Sequence, residues 1–365
     1  MKLKVLVVDD TIVYRKILSD VLADFPSVEV VGTASNGKIA LSRIESLKPD
    51  LITLDVEMPV MDGVQTLEEI HKMKLGIGVI MVSTLTKKGS EITMKALELG
   101  AFDFVTKPDS ESREENIKQI RASLAPRINH FLKRFELKKA LKGDRAQKKE
   151  EKPREPREPR PAPPSRTPGR STYEKSDIVA IGISTGGPNA LTKMLPMLPG
   201  NLGVPVAIVQ HMPPLFTKSL AESLNQKCAL EVKEVQDGET VRKNVVYIAP
   251  GGKQTKIVAG ANQARIFRVT DDPPENNCKP AVDYLFRSVA REYKSRVTGV
   301  IMTGMGNDGT LGLKVMKSLG AVTMGQDADT CVVYGMPKIA WDAGVVDMEF
   351  PLEKIAAEIT STVKR

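Results

Sequence analysis

Residues 5–10 read Val5-Leu6-Val7-Val8-Asp9-Asp10, a short apolar run closed by two adjacent acids. An unbroken apolar stretch of this length, rich in β-branched residues, is what a strand buried on both faces of a parallel sheet requires. Similar runs recur at Val28–Val31, Leu51–Val56, Val79–Val82 and Phe102–Val105, with helically spaced segments such as Ile12–Phe25 and Gln65–Met73 between them. Five strand-helix repeats predict one doubly wound parallel sheet over residues 1–124.

The alternation stops, then resumes. Asp177–Ile183 reads as a strand, followed by a glycine-rich turn and the helix-like Asn189–Leu198. Further strands are expected at Val204–Val209, Val245–Ala249, Ile266–Val269, Thr298–Met302 and Val322–Met324, with helices at Ala281–Tyr293 and Leu311–Leu319. The fold class is therefore α/β, with a second parallel-sheet domain over residues 177–365.

Residues 125–176 differ in kind. A helix can continue through Arg127–Leu141, but seven of the 24 prolines fall between Pro153 and Pro168, mixed with Arg and Glu. Too little apolar surface is present there to offset the entropy of ordering, so the stretch is expected to be a flexible, partly polyproline linker. It also carries the chain's charge. Between Lys133 and Lys175 stand 15 Lys and Arg against 7 Asp and Glu, a surplus equal to the +8 of the entire sequence. The remainder is balanced, which argues against nucleic-acid binding. No apolar run approaches a membrane span, and the start of the chain has no leader-like stretch, so a cytoplasmic protein without membrane insertion is expected. Three scattered cysteines, Cys228, Cys278 and Cys331, suggest neither a disulfide framework nor a structural zinc site.

Strand C-termini of an open parallel sheet line the edge where ligands bind. Asp9 and Asp10 follow the first strand, Asp55 ends the third, Ser83 ends the fourth and Lys107 follows the fifth, before Pro108. Hard carboxylate oxygens gathered at one edge suit Mg²⁺, which keeps waters and accepts phosphate oxygens. Asp55 can then attack a phosphoryl group, Lys107 can pair with a phosphate oxygen, and Ser83 can donate a hydroxyl to it. Single aspartates at strand ends commonly cap helices or turns, but capping does not explain adjacent acids together with a distant Lys-Pro. VLVVDD, LDVEMPVMDG, MVST and FVTKP resemble the marks of response-regulator receiver domains, which have a flavodoxin-like fold. The resemblance implies that Asp55 is the phosphoacceptor. It implies that Asp10, Asp55 and the main-chain carbonyl of Glu57 hold Mg²⁺ with Asp9 nearby, and that Ser83 and Phe104 transmit the change.

Gly182-Ile183-Ser184-Thr185-Gly186 fits G-x-S-x-G between a strand and a helix. Such a turn lifts a serine hydroxyl above the sheet edge and frees main-chain amides for an oxyanion, although glycine-rich turns also bind phosphates. The base follows by elimination. His71 lies on a helix of the first domain and His130 near the linker, leaving His211 at the end of the strand beside Ser184. Asp308, in Thr303-Gly304-Met305-Gly306-Asn307-Asp308-Gly309, is a candidate to orient the imidazole, with capping of the following helix as the plainer reading. The amides of Met305 and Thr185 are candidate oxyanion donors. The order serine, histidine, acid differs from that of the α/β-hydrolases.

IGISTGGP, VQHMPPLFTKSLAESLN, VYIAPGGK, KPAVDYLFRSVA, TGMGNDGTLGLK and CVVYGMPKIA resemble the chemotaxis protein-glutamate methylesterase family over most of 177–345. The resemblance implies a Rossmann-like esterase domain with the triad Ser184, His211 and Asp308. It implies demethylation of glutamyl methyl esters and deamidation of glutamines in methyl-accepting chemotaxis receptors, with no cofactor in this domain and a chemotaxis histidine kinase as phosphodonor. Gln254-Thr255 stand where the family commonly has His-Met, and Cys278 where it commonly has His. With no histidine beside it in sequence, Cys278 reads as an idle thiol. The two-domain layout and the resemblance together imply that the unphosphorylated receiver covers the Ser184 cleft and that phosphorylation opens it. The alternatives are a nucleotide-binding turn at Gly186-Gly187, a non-catalytic scaffold, and a transcription regulator, for which no helix-turn-helix pattern is visible.

Overall fold

A computed structural model describes residues 2–147 and 173–364. The Pro-rich part of the expected linker, 148–172, lies outside the described residues, as does the His130 side chain.

The first sheet is built from β1 (Leu3–Val8), β2 (Val28–Ala34), β3 (Leu51–Asp55), β4 (Gly78–Thr84) and β5 (Asp103–Lys107), in the order β2-β1-β3-β4-β5. β1 pairs in parallel with β2 and β3, and β3 with β4. This is the flavodoxin-like order, with its switch point between β1 and β3. Every residue of β3 is buried, as its apolar run demands.

The intervening helices are α1 (Ile12–Ala23), α2 (Gly37–Leu47), α3 (Gly63–Met73), α4 (Lys87–Glu98) and α5 (Arg113–Gln147). α3 opens with a capping box. Gln65 N donates to Asp62 Oδ1 at 2.8 Å, and Asp62 N donates to Gln65 Oε1 at 3.1 Å. The next residue has to be glycine, because a Cβ on Gly63 would stand 2.2 Å from the main-chain oxygen of Asp55. The helix is thereby seated against the end of β3.

The second sheet carries seven strands in the order β14-β13-β12-β6-β7-β9-β8, and every adjacent pair is parallel. In chain order the elements are β6 (Ile178–Ile183), α6 (Gly187–Met194), β7 (Val206–Gln210), α7 (Phe216–Asn225), β8 (Glu231–Glu234), β9 (Val245–Ile248), β10 (Gln254–Ala259) and β11 (Arg265–Thr270). Then follow α8 (Val282–Tyr293), β12 (Val297–Ile301), α9 (Thr310–Ser318), β13 (Val322–Gln326), α10 (Met336–Asp342), β14 (Met348–Phe350) and α11 (Leu352–Val363). β10 and β11 stand apart as an antiparallel hairpin.

The chain leaves β6 toward β7 on one side and later fills the other side from β12 outward. A switch point thus falls between the C-termini of β6 and β12, where open α/β sheets bind ligands. α8 presents Val282, Leu285, Phe286 and Val289 to the core, the i, i+3, i+4, i+7 stripe of an amphipathic helix. Burying each such side chain is worth about 1.5–3 kcal/mol. No described helix is long and apolar enough to cross a membrane.

Candidate functional site

At the edge of the first sheet, carboxylate oxygens of Asp9, Asp10 and Asp55 lie within 4.8 Å of one another. Lys107 Nζ donates to Asp55 Oδ2 at 2.7 Å and stands 2.8 Å from Asp9 Oδ2, the latter an ion pair without hydrogen-bond alignment. Asp9 is fixed from the other side by the Thr11 amide and hydroxyl, at 2.9 and 2.6 Å. Arg15 bonds the main-chain carbonyls of Asp9 and Asp10, not a carboxylate.

Burial pushes Asp55 up to about 7; Lys107 opposes that shift, while Asp9 and Asp10 add to it. Burial works against the charge of Lys107, but Asp55 and Asp9 raise its pKa overall. Ser83 is buried, with its hydroxyl turned onto the carbonyl of Gly89 at 3.2 Å. Glu57 lies in the connection from β3 to α3, and Phe104 lies within β5.

At the edge of the second sheet, strand register sets the geometry. Ile183 pairs with Gln210 and Gly182 with Ile301, so Ser184 and His211 are the next residues on neighbouring strands, about 4.8 Å apart. Ser184 N donates to Thr303 O at 2.9 Å, and His211 N to Ile183 O at 3.1 Å. Gln210 Nε2 bridges the two loops, donating to Ser184 O at 3.0 Å and His211 O at 3.2 Å. The turn after Ser184 needs its glycines. Gly186 has φ +75, and a Cβ on Gly187 would lie 1.9 Å from Gln210 Oε1.

His211 Nε2 and Asp308 Oδ2 are 2.8 Å apart. The same Asp308 oxygen accepts from Val282 N at 2.7 Å, and Oδ1 accepts from Asp283 N at 2.9 Å and Asn276 Nδ2 at 3.0 Å. Asp308 therefore caps a helix as well, but the helix is α8. The N-cap of α9 is Gly309, which makes no side-chain cap. Burial alone would raise the Asp308 pKa; the bonds from His211, Asp283 and Val282 overcome it and hold the carboxyl below the usual range. For His211, burial alone would lower the pKa, but hydrogen bonds to Asp308 and Cys278 carry it up to about 9.

Ser184 Oγ makes no hydrogen bond to the imidazole among the described residues. The amides of Thr185 and Met305 donate to no protein acceptor among the described residues. His71 is exposed on α3.

Three neighbours of the site were not expected from the sequence. Asn276 supports Asp308, and Gln210 spans the two loops. The third is Cys278, whose Sγ lies 3.7 Å from His211 Nδ1; the thiol read as idle faces the imidazole. Gln254 explains the placement. It is fully buried, donates to Pro273 O at 3.1 Å and Cys278 O at 3.3 Å, and accepts from Ala281 N at 2.9 Å. The Gln254 side chain thus pins the segment carrying Asn276 and Cys278 against β10.

Comparison with known proteins matches both halves. A family model described as CheB methylesterase covers residues 179–359, and one described as response regulator receiver domain covers residues 5–119. A protein of Desulfotalea psychrophila named protein-glutamate methylesterase/protein-glutamine glutaminase is 54% identical over 364 residues, 99% of each chain. One of the same name from Bacillus subtilis is 45% identical over 370 residues, covering 100% of this chain and 99% of its own. The crystal structure of the Thermotoga maritima CheB methylesterase catalytic domain is 44% identical, with a TM-score of 0.50, over 51% of this chain and 98% of that one. From similarity that runs unbroken through the receiver and the serine-bearing sheet, this chain belongs to the protein-glutamate methylesterase/protein-glutamine glutaminase family.

Proposed function

We propose that this chain is a cytoplasmic, phosphorylation-regulated hydrolase that removes methyl esters from glutamates of chemotaxis receptors and deamidates receptor glutamines. The observation that carries the reading is the 2.8 Å pair of His211 Nε2 and Asp308 Oδ2, set by strand register beside Ser184. With Nε2 committed to the carboxylate, Nδ1 is the atom that accepts the Ser184 proton. Ser184 Oγ attacks the ester carbonyl carbon. Unpaired amides of Thr185 and Met305 receive the oxyanion, a contribution of about 3 kcal/mol per donor. His211 returns its proton to the departing methoxide, giving methanol and an acyl-Ser184. Water then attacks with His211 again as base, releasing glutamate. From glutamine the leaving group is ammonia. Thr185 and Met305 act through the main chain alone, so substitutions that keep the backbone in place leave them competent.

In the receiver, Asp55 is the nucleophile for a phosphoryl group supplied by the chemotaxis histidine kinase. The residues fit a hard divalent cation. Three carboxylates face one ammonium, and that excess of negative charge is what helps raise Asp55. Asp9, Asp10, Asp55 and the main-chain carbonyl of Glu57 would hold Mg²⁺, which when bound neutralises phosphoryl oxygens. Lys107 pairs with a phosphate oxygen once Asp55 is phosphorylated. The Ser83 hydroxyl leaves Gly89 O to donate to another, and with Phe104 passes the change on. Phosphorylation relieves restraint on the esterase.

The experiment is to follow methanol released from methyl-labelled receptor. Ser184→Ala should lower the rate by on the order of a millionfold. Asp55→Asn should abolish stimulation by a small-molecule phosphodonor with Mg²⁺ while leaving the unstimulated rate. Undiminished hydrolysis in Ser184→Ala would exclude the acyl-enzyme route.

A further inference from the structure

Cys278 Sγ and His211 Nδ1 face each other across 3.7 Å, with the thiol half-buried and within reach of solvent. Tetrahedral zinc binds sulfur at about 2.3 Å and imidazole nitrogen at about 2.0–2.1 Å, which places the two donors about 3.6 Å apart. The pair already stands at that bite distance. Both main chains are fixed: His211 N is bonded to Ile183 O, and Cys278 exchanges main-chain hydrogen bonds with Glu275 while its carbonyl accepts from Gln254. The far nitrogen of the imidazole is held by Asp308, the carboxylate-histidine arrangement that orients metal-binding imidazoles and strengthens them as donors. Donor atoms of His211, Cys278 and Asp308 all lie within 4.8 Å of one another.

We infer that a soft divalent cation of the zinc class binds across Cys278 Sγ and His211 Nδ1 and arrests ester hydrolysis by occupying the lone pair that would take the serine proton. On binding, the thiol and the Nδ1 position of the imidazolium each give up a proton to solvent, and water completes the coordination, so affinity falls as pH falls. The inhibitory consequence rests on the catalytic reading of His211 given above; the binding does not. The acid pocket of the receiver is an all-oxygen set that excess Mg²⁺ saturates. Burial pushes the Cys228 thiol up to about 11 and raises that of Cys331 as well, which disfavours both as competing thiolates.

The test uses the full chain in excess Mg²⁺, with Co²⁺ as the spectroscopic probe and Zn²⁺ as the inhibitor. Co²⁺ should give a thiolate-to-metal charge-transfer band saturating at one equivalent. Zn²⁺ should displace it, and Cys278→Ser and Cys278→Ala should both lack it. Ser184→Ala should retain the band. Inhibition is read as the ratio of rates with and without Zn²⁺ within each variant, so differing basal rates do not matter. Either cysteine variant should need at least about tenfold more Zn²⁺ for the same inhibition. No charge-transfer band in the wild type, or one that survives in both cysteine variants, overturns the site. A cysteine-dependent band without inhibition of an active enzyme overturns the arrest. A cysteine-dependent band in a protein that hydrolyses no ester even without zinc leaves the metal site standing and removes the catalytic reading instead.

Discussion

As the proposed base, His211 carries an unusual burden. Its pKa is raised to about 9, so at neutral pH the imidazole holds a proton that the proposed mechanism requires it to lose before accepting one from Ser184. The rate of ester hydrolysis at limiting substrate should therefore climb with pH through about 9, well above an ordinary histidine. Cys278→Ser removes one of the contacts that raise it and should shift that limb downward. A limb between 6 and 7 that the variant leaves in place would show that Cys278 has no hold on the base. The same group is linked to folding. Its folded pKa lies above the unfolded value, so its stabilising contribution is complete below about 6.5 and is lost as pH rises through about 9. Asp308→Asn can no longer enforce the tautomer and should cost about 10⁴-fold in turnover. Asp308→Ala should in addition lower the melting temperature, because the buried Val282 and Asp283 amides lose their acceptor, each worth about 1–3 kcal/mol. Ser184, His211 and Asp308 stand out as candidates in the sequence because each follows a readable strand and histidines are scarce. Cys278 and Asn276 do not. They reach the site on a segment folded back by the hydrogen bonds of Gln254, and no spacing rule encodes such a return.

Among the elements, those buried on both faces were the easiest to read. The near-continuous apolar runs of β1, β3, β6 and β12 read as strands once length and flanking turns are considered. α7 is not among the expected helices, although Phe216, Leu220 and Leu224 are buried at helical spacing. The expected helix over Asn189–Leu198 shortens to Met194, after which Leu195–Met197 tighten into a 3-10 turn around Pro196. The β10-β11 hairpin was half visible, and nothing in its pattern showed that it would leave the main sheet. The glycine that opens α3 offers a test at this scale. Gly63→Ala places a methyl against the Asp55 carbonyl and should destabilise the receiver by about 1–3 kcal/mol through overpacking. It should also slow phosphorylation of Asp55, because the helix start and the strand end must separate. Thermal melts and phosphodonor kinetics on the same variant check both effects, and an unchanged melt with normal kinetics would refute the contact.

Over the whole molecule, both sheets place their chemistry where parallel strands end. They meet opposite electrostatic problems there. The esterase edge balances one carboxylate with one imidazole, whereas the receiver edge gathers acids. Because the folded pKa of Asp55 is raised above its unfolded value, its favourable contribution is present below about 4 and is lost as pH rises through about 7. Mg²⁺ should therefore raise the receiver's melting temperature more at pH 8 than at pH 5, and Asp55→Asn should flatten that difference. Equal Mg²⁺ shifts at the two pH values would mean that the acids are not its ligands. The Ser184-His211 adjacency has a further consequence. It is indexed by the rungs of the β6-β7 ladder, from Val179 opposite Val206 to Ile183 opposite Gln210. One residue added between Val206 and His211 would carry the imidazole about 3.3 Å along the strand and turn it to the opposite face. The loop before Val206 can lengthen without moving either group. Insertions and deletions should therefore be tolerated upstream of the strand and lethal to turnover within it.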